Sequence, residues 1–288
     1  MENTQLNIAQ LSKQLQSKLT PVYGEGEAKA MVRLIFHSLK GWSLTDLMIH
    51  ADNPASEYLV EKTGEILARL LKHEPIQYIL EEAYFYGMNL KVNTSTLIPR
   101  PETEELVDMI VKENNGNKDL SVLDVGTGSG AIAIALSRNL PFSTVTAIDI
   151  SPEALLTAKE NAETLHAKIN FIEADVFKYA PEANLFDIIV SNPPYIDESE
   201  KKDMECNVLD YEPHSALFVP DENPLIYYSR IATIASDSLK RGGKLYFEIN
   251  PRHACDLKSY LTHEGFDNVS IEEDINGKER FIKCNKPF

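Results

Sequence analysis

Two short stretches of this chain carry residue types at spacings that suit chemistry. The first is Asp124-Val125-Gly126-Thr127-Gly128-Ser129-Gly130. Three glycines at alternate positions let a backbone turn sharply and lie close against a ligand. If a helix follows, its first turn adds unpaired N–H groups and a partial positive charge. The candidate cofactor-binding residues of this loop are Gly126, Thr127, Gly128, Ser129 and Gly130. Asp149 follows nineteen residues later, and an acid at such a strand end can accept hydrogen bonds from ribose hydroxyls. Gly126, Gly128 and Ala131 also satisfy the dinucleotide fingerprint in its G-x-G-x-x-A form, so the loop alone does not choose between cofactors. Asp124, just before the glycines, tilts the choice towards S-adenosylmethionine. The second stretch is Ser191-Asn192-Pro193-Pro194-Tyr195. Asn192 offers a side-chain carbonyl, and Pro193 offers a backbone carbonyl with no competing N–H. Two prolines stiffen the loop, and Tyr195 offers an aromatic face that favours a cation. Such a set suits methylation of a planar nitrogen. That atom is a poor nucleophile and must be held in line by positioning, while fixed acceptors stabilise the positive charge that develops on it. No general base of tuned pKa is required. The candidate catalytic residues are Asn192, Pro193 and Tyr195.

The elements around these stretches must place them side by side. Ser121 to Val125 reads as a short apolar strand, Ala131 to Leu136 opens a helix, and Thr144 to Ile150 reads as a second strand. A helix from Pro152 follows on Ala154, Leu155 and Ala158. Ile169 to Ile172 and Phe186 to Val190 are third and fourth strands, Pro224 to Leu239 a helix and Lys244 to Ile249 a fifth strand. Such alternation predicts an α/β fold with a parallel sheet covered by helices on both faces. In such sheets ligands sit beyond the carboxyl ends of the strands, at the switch point, which puts the glycine loop opposite Asn-Pro-Pro-Tyr. Val269 to Ile271 and Arg280 to Cys284 are two further strands. Asn276-Gly277 between them is a hairpin signal, so one of the two should run antiparallel. After the third strand, Asp175 could accept from an adenine amino group and Phe177 could pack on the ring; spacing alone leaves a solvated acid beside a core aromatic equally open.

The first eighty residues read differently. Met31, Ile35 and Leu39 lie four apart with Gly41 as a stop, Ser43 suits a helix cap, and Ile66, Leu67, Leu70 and Leu71 form another helical face before Pro75. Residues 1–82 are expected to be a helical domain for substrate recognition. Residues 83–100 are expected to be a hairpin and linker, from Tyr84, Phe85, Tyr86, Leu90 and Val92 around Gly87. Residues 101–288 are expected to be the catalytic domain, opening on a helix in which Pro101 suits the first turn and Glu102, Glu104 and Glu105 suit its positive end.

Composition narrows the function classes. At 288 residues with 43% hydrophobic content, the chain can bury a sizeable core. A net charge of −16, with no basic cluster, weighs against direct contact with nucleic acid. Cys206, Cys255 and Cys284 are odd in number and far apart, which predicts neither a disulfide framework nor a metal site. The polar start does not read as a signal peptide, and no apolar run reaches the ~20 residues that span a bilayer. A cytoplasmic monomer is the expectation. His214 reads as a loop histidine, Lys201 and Lys202 as a solvated charge run, and Trp42 as part of the helical domain's core or interface.

Asp-x-Gly-x-Gly-x-Gly followed by Asn-Pro-Pro-Tyr resembles the class I S-adenosylmethionine methyltransferases that modify planar nitrogens. Glu74-Pro75-Ile76-Gln77-Tyr78-Ile79, Phe85-Tyr86-Gly87, Leu97-Ile98-Pro99-Arg100-Pro101-Glu102-Thr103-Glu104 and Glu212-Pro213-His214-Ser215-Ala216-Leu217 narrow the resemblance to the release-factor glutamine methyltransferase family. It spans roughly Leu70 to Glu248, with a helical N-terminal domain of the expected size. It implies a seven-stranded Rossmann-like sheet. It also implies methylation of the N5 nitrogen of the glutamine in the Gly-Gly-Gln loop of class 1 peptide chain release factors. Carried onto this chain, it implies that Gly126 to Gly130, Asp149, Asp175, Phe177 and Asn192 hold the cofactor. Asn192, Pro193, Pro194 and Tyr195 would hold the substrate glutamine, with Arg100 and Glu102 lining the cleft or pairing with each other. Phe177 stands where that family often has tryptophan, and Asn250 near where it often has glycine. The rival readings are a glutamine methyltransferase acting on a ribosomal protein, a DNA amino-methyltransferase, a non-catalytic adenine-nucleotide module and a dehydrogenase. The last lacks an acid/base constellation beside the glycine loop.

Overall fold

The computed structural model describes residues 6–288; the first five residues of the polar start lie outside the described residues. The chain divides into two compact units, Met1–Glu81 with Cys206–Tyr211, and Glu82–Glu205 with Glu212–Phe288.

The smaller unit is helical. α1 (Ile8–Lys40) starts at an Asn7/Gln10 capping box, kinks at Gly24 and stops at Gly41, which takes φ +68°. α2 (Leu44–Ile49) is capped by Ser43, whose side chain accepts from Asp46 N–H. α3 (Glu57–Leu70) and α4 (Ile76–Leu80) follow. Leu11, Leu15, Leu19, Met31, Ile35, Leu59, Ile66 and Leu70 share one core, as their three- and four-residue spacing requires. Trp42 stacks against His50 at 4.6 Å and packs at the margin of that core.

The larger unit opens with an antiparallel hairpin of β1 (Glu82–Phe85) and β2 (Met88–Lys91), turned at Gly87. Then come α5 (Pro101–Glu113), β3 (Ser121–Val125), α6 (Ala131–Asn139), β4 (Thr144–Asp149), α7 (Pro152–Thr164), β5 (Ile169–Glu173) and β6 (Phe186–Ser191). A two-residue strand, β7 (Ile196–Asp197), pairs with β8 (Phe218–Val219); α8 (Cys206–Tyr211), between them in the chain, belongs to the smaller unit. The chain closes with α9 (Ile226–Ser238), β9 (Leu239–Glu248), α10 (Ala254–His263), β10 (Asp267–Glu273) and β11 (Glu279–Asn285). The seven-stranded sheet has the order β10-β11-β9-β6-β3-β4-β5. β11 runs antiparallel to both neighbours and the remaining pairs are parallel.

Successive residues of a strand face opposite sides. Val122, Ile188, Val190, Tyr246 and Phe281 therefore join α5 and α6 in one core. Leu123, Val125, Ile189, Leu245, Phe247 and Ile282 join α9 and α10 in the other. Several elements depart from the reading of the sequence. α9 starts at Ile226, two residues after the expected Pro224. β9 begins five residues earlier than Lys244, because Leu239 pairs with Phe186 across a register shift. α10 and the β7–β8 pair carried too short a pattern to be read.

Candidate active site

β3 and β6 are hydrogen-bonded neighbours in parallel register, with Val125 level with Ser191. Ser191 Oγ donates to the Val125 carbonyl at 2.7 Å. The glycine loop and Asn-Pro-Pro-Tyr thus leave the same edge of the sheet from adjacent strands.

The glycine loop is held from several sides. Gly126 and Thr127 donate their N–H groups to the Ile148 carbonyl at 2.9 and 3.0 Å. Gly128 N–H donates to Asp149 Oδ2 at 2.8 Å, and Ser151 N–H donates to Asp149 Oδ1 at 3.0 Å. Gly126, Gly128 and Gly130 take φ of +77°, +56° and +83°, where glycine alone is unstrained. A Cβ at Gly126 or Gly128 would meet nothing within 4 Å, whereas one at Gly130 would lie 3.1 Å from Ile134 Cδ1 and 3.2 Å from Ala158 Cβ. Gly130 therefore also serves the close approach of α6 to α7. Asn161 on α7 is buried and donates from Nδ2 to the Ser129 and Lys91 carbonyls, both at 2.9 Å; its Oδ1 accepts from Lys91 N–H at 2.7 Å. One side chain thus fastens the loop to β2.

Asp124 lies fully buried beneath the loop. Its Oδ2 accepts from Thr127 Oγ1 at 2.6 Å and Ala133 N–H at 3.2 Å, while Oδ1 has no partner among the described residues. Burial pushes its carboxyl up to about 7 against those two hydrogen bonds, with the charge of Asp149 adding to the rise. After β5, Asp175 accepts from Phe177 N–H at 2.9 Å and pairs with Lys178; the Phe177 bond, chiefly, holds its carboxyl below the usual value. Phe177 is 43% exposed with Tyr227 5.4 Å from its ring. Arg230 on α9 donates to the Val176 and Tyr179 carbonyls at 2.9 and 2.6 Å and so fixes this loop.

Around Asn192 the structure assembles residues that the sequence did not connect. Asn192 Nδ2 donates to Thr103 Oγ1 at 3.3 Å. Thr103 Oγ1 donates to Glu248 Oε2 at 2.7 Å, and Tyr195 Oη donates to Glu248 Oε1 at 3.0 Å. Glu248 ends β9, the strand beside β6, and is 1% exposed. Its carboxyl is pushed up by burial, opposed by Thr103, Tyr195 and the charge of Arg280. Burial, with the neighbouring Glu248 charge, drives the Tyr195 hydroxyl well above its ordinary value, so it stays protonated and donates. The backbone of the motif is pinned as well. Tyr195 and Ile196 N–H donate to the Leu217 carbonyl at 3.2 and 2.9 Å, and Asn250 Nδ2 donates to the Tyr195 carbonyl at 3.1 Å.

Arg100 and Glu102 do not pair with each other. Arg100 pairs with Glu212, whose other oxygen accepts from Ile98 N–H at 3.2 Å. Glu212 is buried and strongly favours the guanidinium over the more exposed alternative. Glu102 acts on the cluster through its charge, which raises the Glu248 carboxyl. Lys201 is not simply solvated: its Nζ lies 4.2 Å from the centre of the Phe218 ring, and His214, exposed, meets the same ring edge-on at 5.3 Å. Among the described residues no group of three or more His, Cys, Asp or Glu side chains could hold a metal ion.

Residues 102–210 match the family described as Methyltransferase small domain, and residues 9–80 match the PrmC N-terminal domain. The chain is 46% identical over 273 residues to a release factor glutamine methyltransferase of Bacteroides thetaiotaomicron, covering 94% of this chain and 98% of that one. It is 42% identical over 279 residues to the protein of the same name from Streptococcus pneumoniae, covering 96% and 98%. A methyltransferase structure from Pyrococcus furiosus superposes with a TM-score of 0.53 at 18% identity, covering 78% of this chain and all of that one; it speaks for the fold.

Proposed function

We propose, because the chain belongs to the release factor glutamine methyltransferase family, that it methylates the N5 side-chain nitrogen of the glutamine in the Gly-Gly-Gln loop of a class 1 peptide chain release factor, with S-adenosylmethionine as methyl donor. The observation that carries this reading is the adjacency of β3 and β6, which sets the glycine loop beside Asn192-Pro193-Pro194-Tyr195.

The residues fit the donor. Asp124 Oδ1 is a buried acceptor in want of a donor beneath the loop, which suits the ammonium of the methionine part. Gly126 and Gly128 leave open space where a side chain would intrude. Asp149 keeps lone pairs beyond those used by Gly128 and Ser151 and would take the ribose hydroxyls, with Asp175 and exposed Phe177 at the adenine. When bound, S-adenosylmethionine would supply a sulfonium-borne methyl group that the amide nitrogen takes with its lone pair, the C–S electron pair staying on sulfur and the methylated nitrogen releasing one of its two protons to water.

The chain's own residues do the rest. Asn192 Oδ1 and the Pro193 carbonyl accept the two amide N–H groups, which fixes the nitrogen in line and stabilises its growing positive charge. The Tyr195 ring packs against the planar amide. Arg100, tied to Glu212, borders the cleft with Glu102. The substrate is a protein of the cytoplasm, and the enzyme works there as a monomer; no helix among the described residues is long and apolar enough to cross a membrane.

The deciding experiment follows labelled methyl from S-adenosylmethionine to a purified class 1 release factor, beside a form whose Gly-Gly-Gln glutamine is alanine. Label on the first and none on the second is the expected result. Label on neither, with the cofactor still bound, overturns the assigned substrate and turns the search to ribosomal proteins.

A further inference from the structure

An asparagine carboxamide can present either its oxygen or its nitrogen to a substrate, and only its surroundings decide which. Here the surroundings form a chain with a direction. Glu248, when ionised, is an acceptor only. It is 1% exposed and two hydroxyls converge on its two oxygens, Thr103 Oγ1 at 2.7 Å and Tyr195 Oη at 3.0 Å. Threonine has a single hydroxyl proton, and Glu248 takes it. Thr103 Oγ1 can then only accept from its other neighbour, Asn192, which must turn Nδ2 towards it, as the 3.3 Å contact records. Asn192 Oδ1 is left facing away from Thr103, free to accept from an N–H group.

We infer that Glu248, acting through Thr103, is a positioning residue that fixes the polarity of the Asn192 carboxamide, so that its oxygen rather than its nitrogen meets the substrate amide. The inference deepens the reading of Asn192 as an acceptor and rests on it. Protonation of Glu248 breaks the chain. A protonated carboxyl has one donor of its own, so one of the two converging hydroxyls must turn away. When Thr103 turns, its proton points at Asn192, the carboxamide rotates to receive it, and the acceptor is lost.

The groups facing Glu248 come from three elements and the motif itself: Thr103 and Glu102 from α5, Tyr228 from α9, Arg280 from β11, and Tyr195. Arg280 favours the ionised form, whereas Glu102 and burial oppose it, and burial is the largest of these influences. Activity should therefore fall on the acid side at a pH above the ordinary carboxylate range, because the folded carboxyl is raised and must be ionised to work.

Thr103→Val keeps shape and removes the hydroxyl, while Thr103→Ser keeps the hydroxyl. The first should lower kcat on the release factor about 10–100-fold with cofactor affinity near wild type and a melting temperature lowered by a few degrees at most, since one buried oxygen loses its donor; the second should stay within a few-fold. Glu248→Gln should lower kcat and abolish the acid limb of the pH profile. If Thr103→Val does not fold, Glu248→Gln carries the test, since a merely structural carboxylate would leave that limb in place. A readout independent of turnover separates this inference from the choice of substrate. In nitrogen-labelled protein, the Asn192 side-chain amide pair, identified by its loss in Asn192→Asp, should shift in Thr103→Val and stay in Thr103→Ser. An unmoved pair in Thr103→Val overturns the inference, even if the release factor proves to be the wrong substrate. Full turnover by a folded Thr103→Val protein overturns it equally.

Discussion

Gly130→Ala and Gly128→Ala are one methyl group each in the same loop, yet the structure makes them different perturbations. Both positions hold a left-handed backbone, at φ +83° and +56°, and forcing alanine there costs roughly 1–2 kcal/mol. At Gly128 that is the whole of the cost, because the added Cβ meets nothing within 4 Å. At Gly130 the Cβ would lie 3.1 Å from Ile134 Cδ1, 3.2 Å from Ala158 Cβ and 3.4 Å from Ala158 Cα. The side-chain tip of Ile134 can yield, but Ala158 is fully buried on α7 and its backbone cannot. Overpacking of this kind adds about 1–3 kcal/mol, giving roughly 2–5 kcal/mol in all for Gly130→Ala. At roughly 2–4 °C per kcal/mol for a unit of this size, Gly130→Ala should melt about 2–12 °C below Gly128→Ala. Thermal unfolding of the cofactor-free protein followed by circular dichroism measures the difference. Equal melting temperatures, or a lower one for Gly128→Ala, would refute the assignment of Gly130 to helix packing and of Gly128 to ligand approach. Cofactor titration completes the contrast: Gly128→Ala should weaken binding more than its small loss of stability explains.

Three further outcomes are expected. Asn192→Ala should abolish methyl transfer while cofactor binding persists in part, and a variant turning over at the wild-type rate in a labelled-methyl assay would sink the mechanism. Asn161→Ala removes three hydrogen bonds; at about 1 kcal/mol each, with buried groups left unpaired, it should destabilise by roughly 2–4 kcal/mol in urea unfolding, and a loss under about 0.5 kcal/mol would contradict the role given to it. Asp124 has a folded pKa raised from 3.8 to about 7, so the folded chain holds that proton more tightly and stability is greatest below the unfolded value. Stability should therefore decline as pH rises through this window, the decline should flatten in Asp124→Asn, and parallel pH–stability curves for the two proteins would contradict the burial argument.

The sheet was legible in the sequence because parallel strands buried on both faces read as short apolar runs. Ser121 to Val125 and Phe186 to Val190 needed no partner to be recognised. The glycine loop was legible for a related reason: three residues at fixed offsets, on one strand-to-helix turn, carry the whole signal. Glu248, Thr103, Asn161, Glu212 and Arg230 were not legible as site residues, because each acts through contacts with residues distant in the chain. Thr103 and Glu248 are joined across a separation of 145 residues, and no periodicity records such a pair. A signal did exist for one of them. Glu248 closes the apolar run Leu245-Tyr246-Phe247 as Asp149 closes its own strand, and a carboxylate at the carboxyl end of a buried strand points to the ligand edge of the sheet. Arg100 shows the converse limit. Glu102, two residues on, is one of the two readings the sequence leaves for Arg100 beside the cleft, but Glu212, buried and supplied by a distant loop, takes the guanidinium.

An amide nitrogen differs from most methyl acceptors in that removing a proton first is not the enzyme's problem. Its lone pair is held by resonance, and what catalysis needs is geometry and a place for positive charge. The site matches that need in its chemistry. Among the described residues, the titratable groups within the hydrogen-bonded chain Asn192–Thr103–Glu248–Tyr195 are Glu248, buried and engaged by two hydroxyls, and Tyr195, kept protonated. Glu248 is engaged by the Thr103 and Tyr195 hydroxyls, which makes it a fixed acceptor and not a base. The rigid elements are of the same kind: two prolines, the Tyr195 N–H bond to the Leu217 carbonyl and the bond that Asn250 Nδ2 donates to the Tyr195 carbonyl hold Asn192 and Tyr195 before any substrate arrives. A site built around a general base would be expected to tolerate some looseness in its acceptors and none in its base; this one inverts that order. Loss of orientation at Asn192 should therefore cost more than any shift of nearby charge.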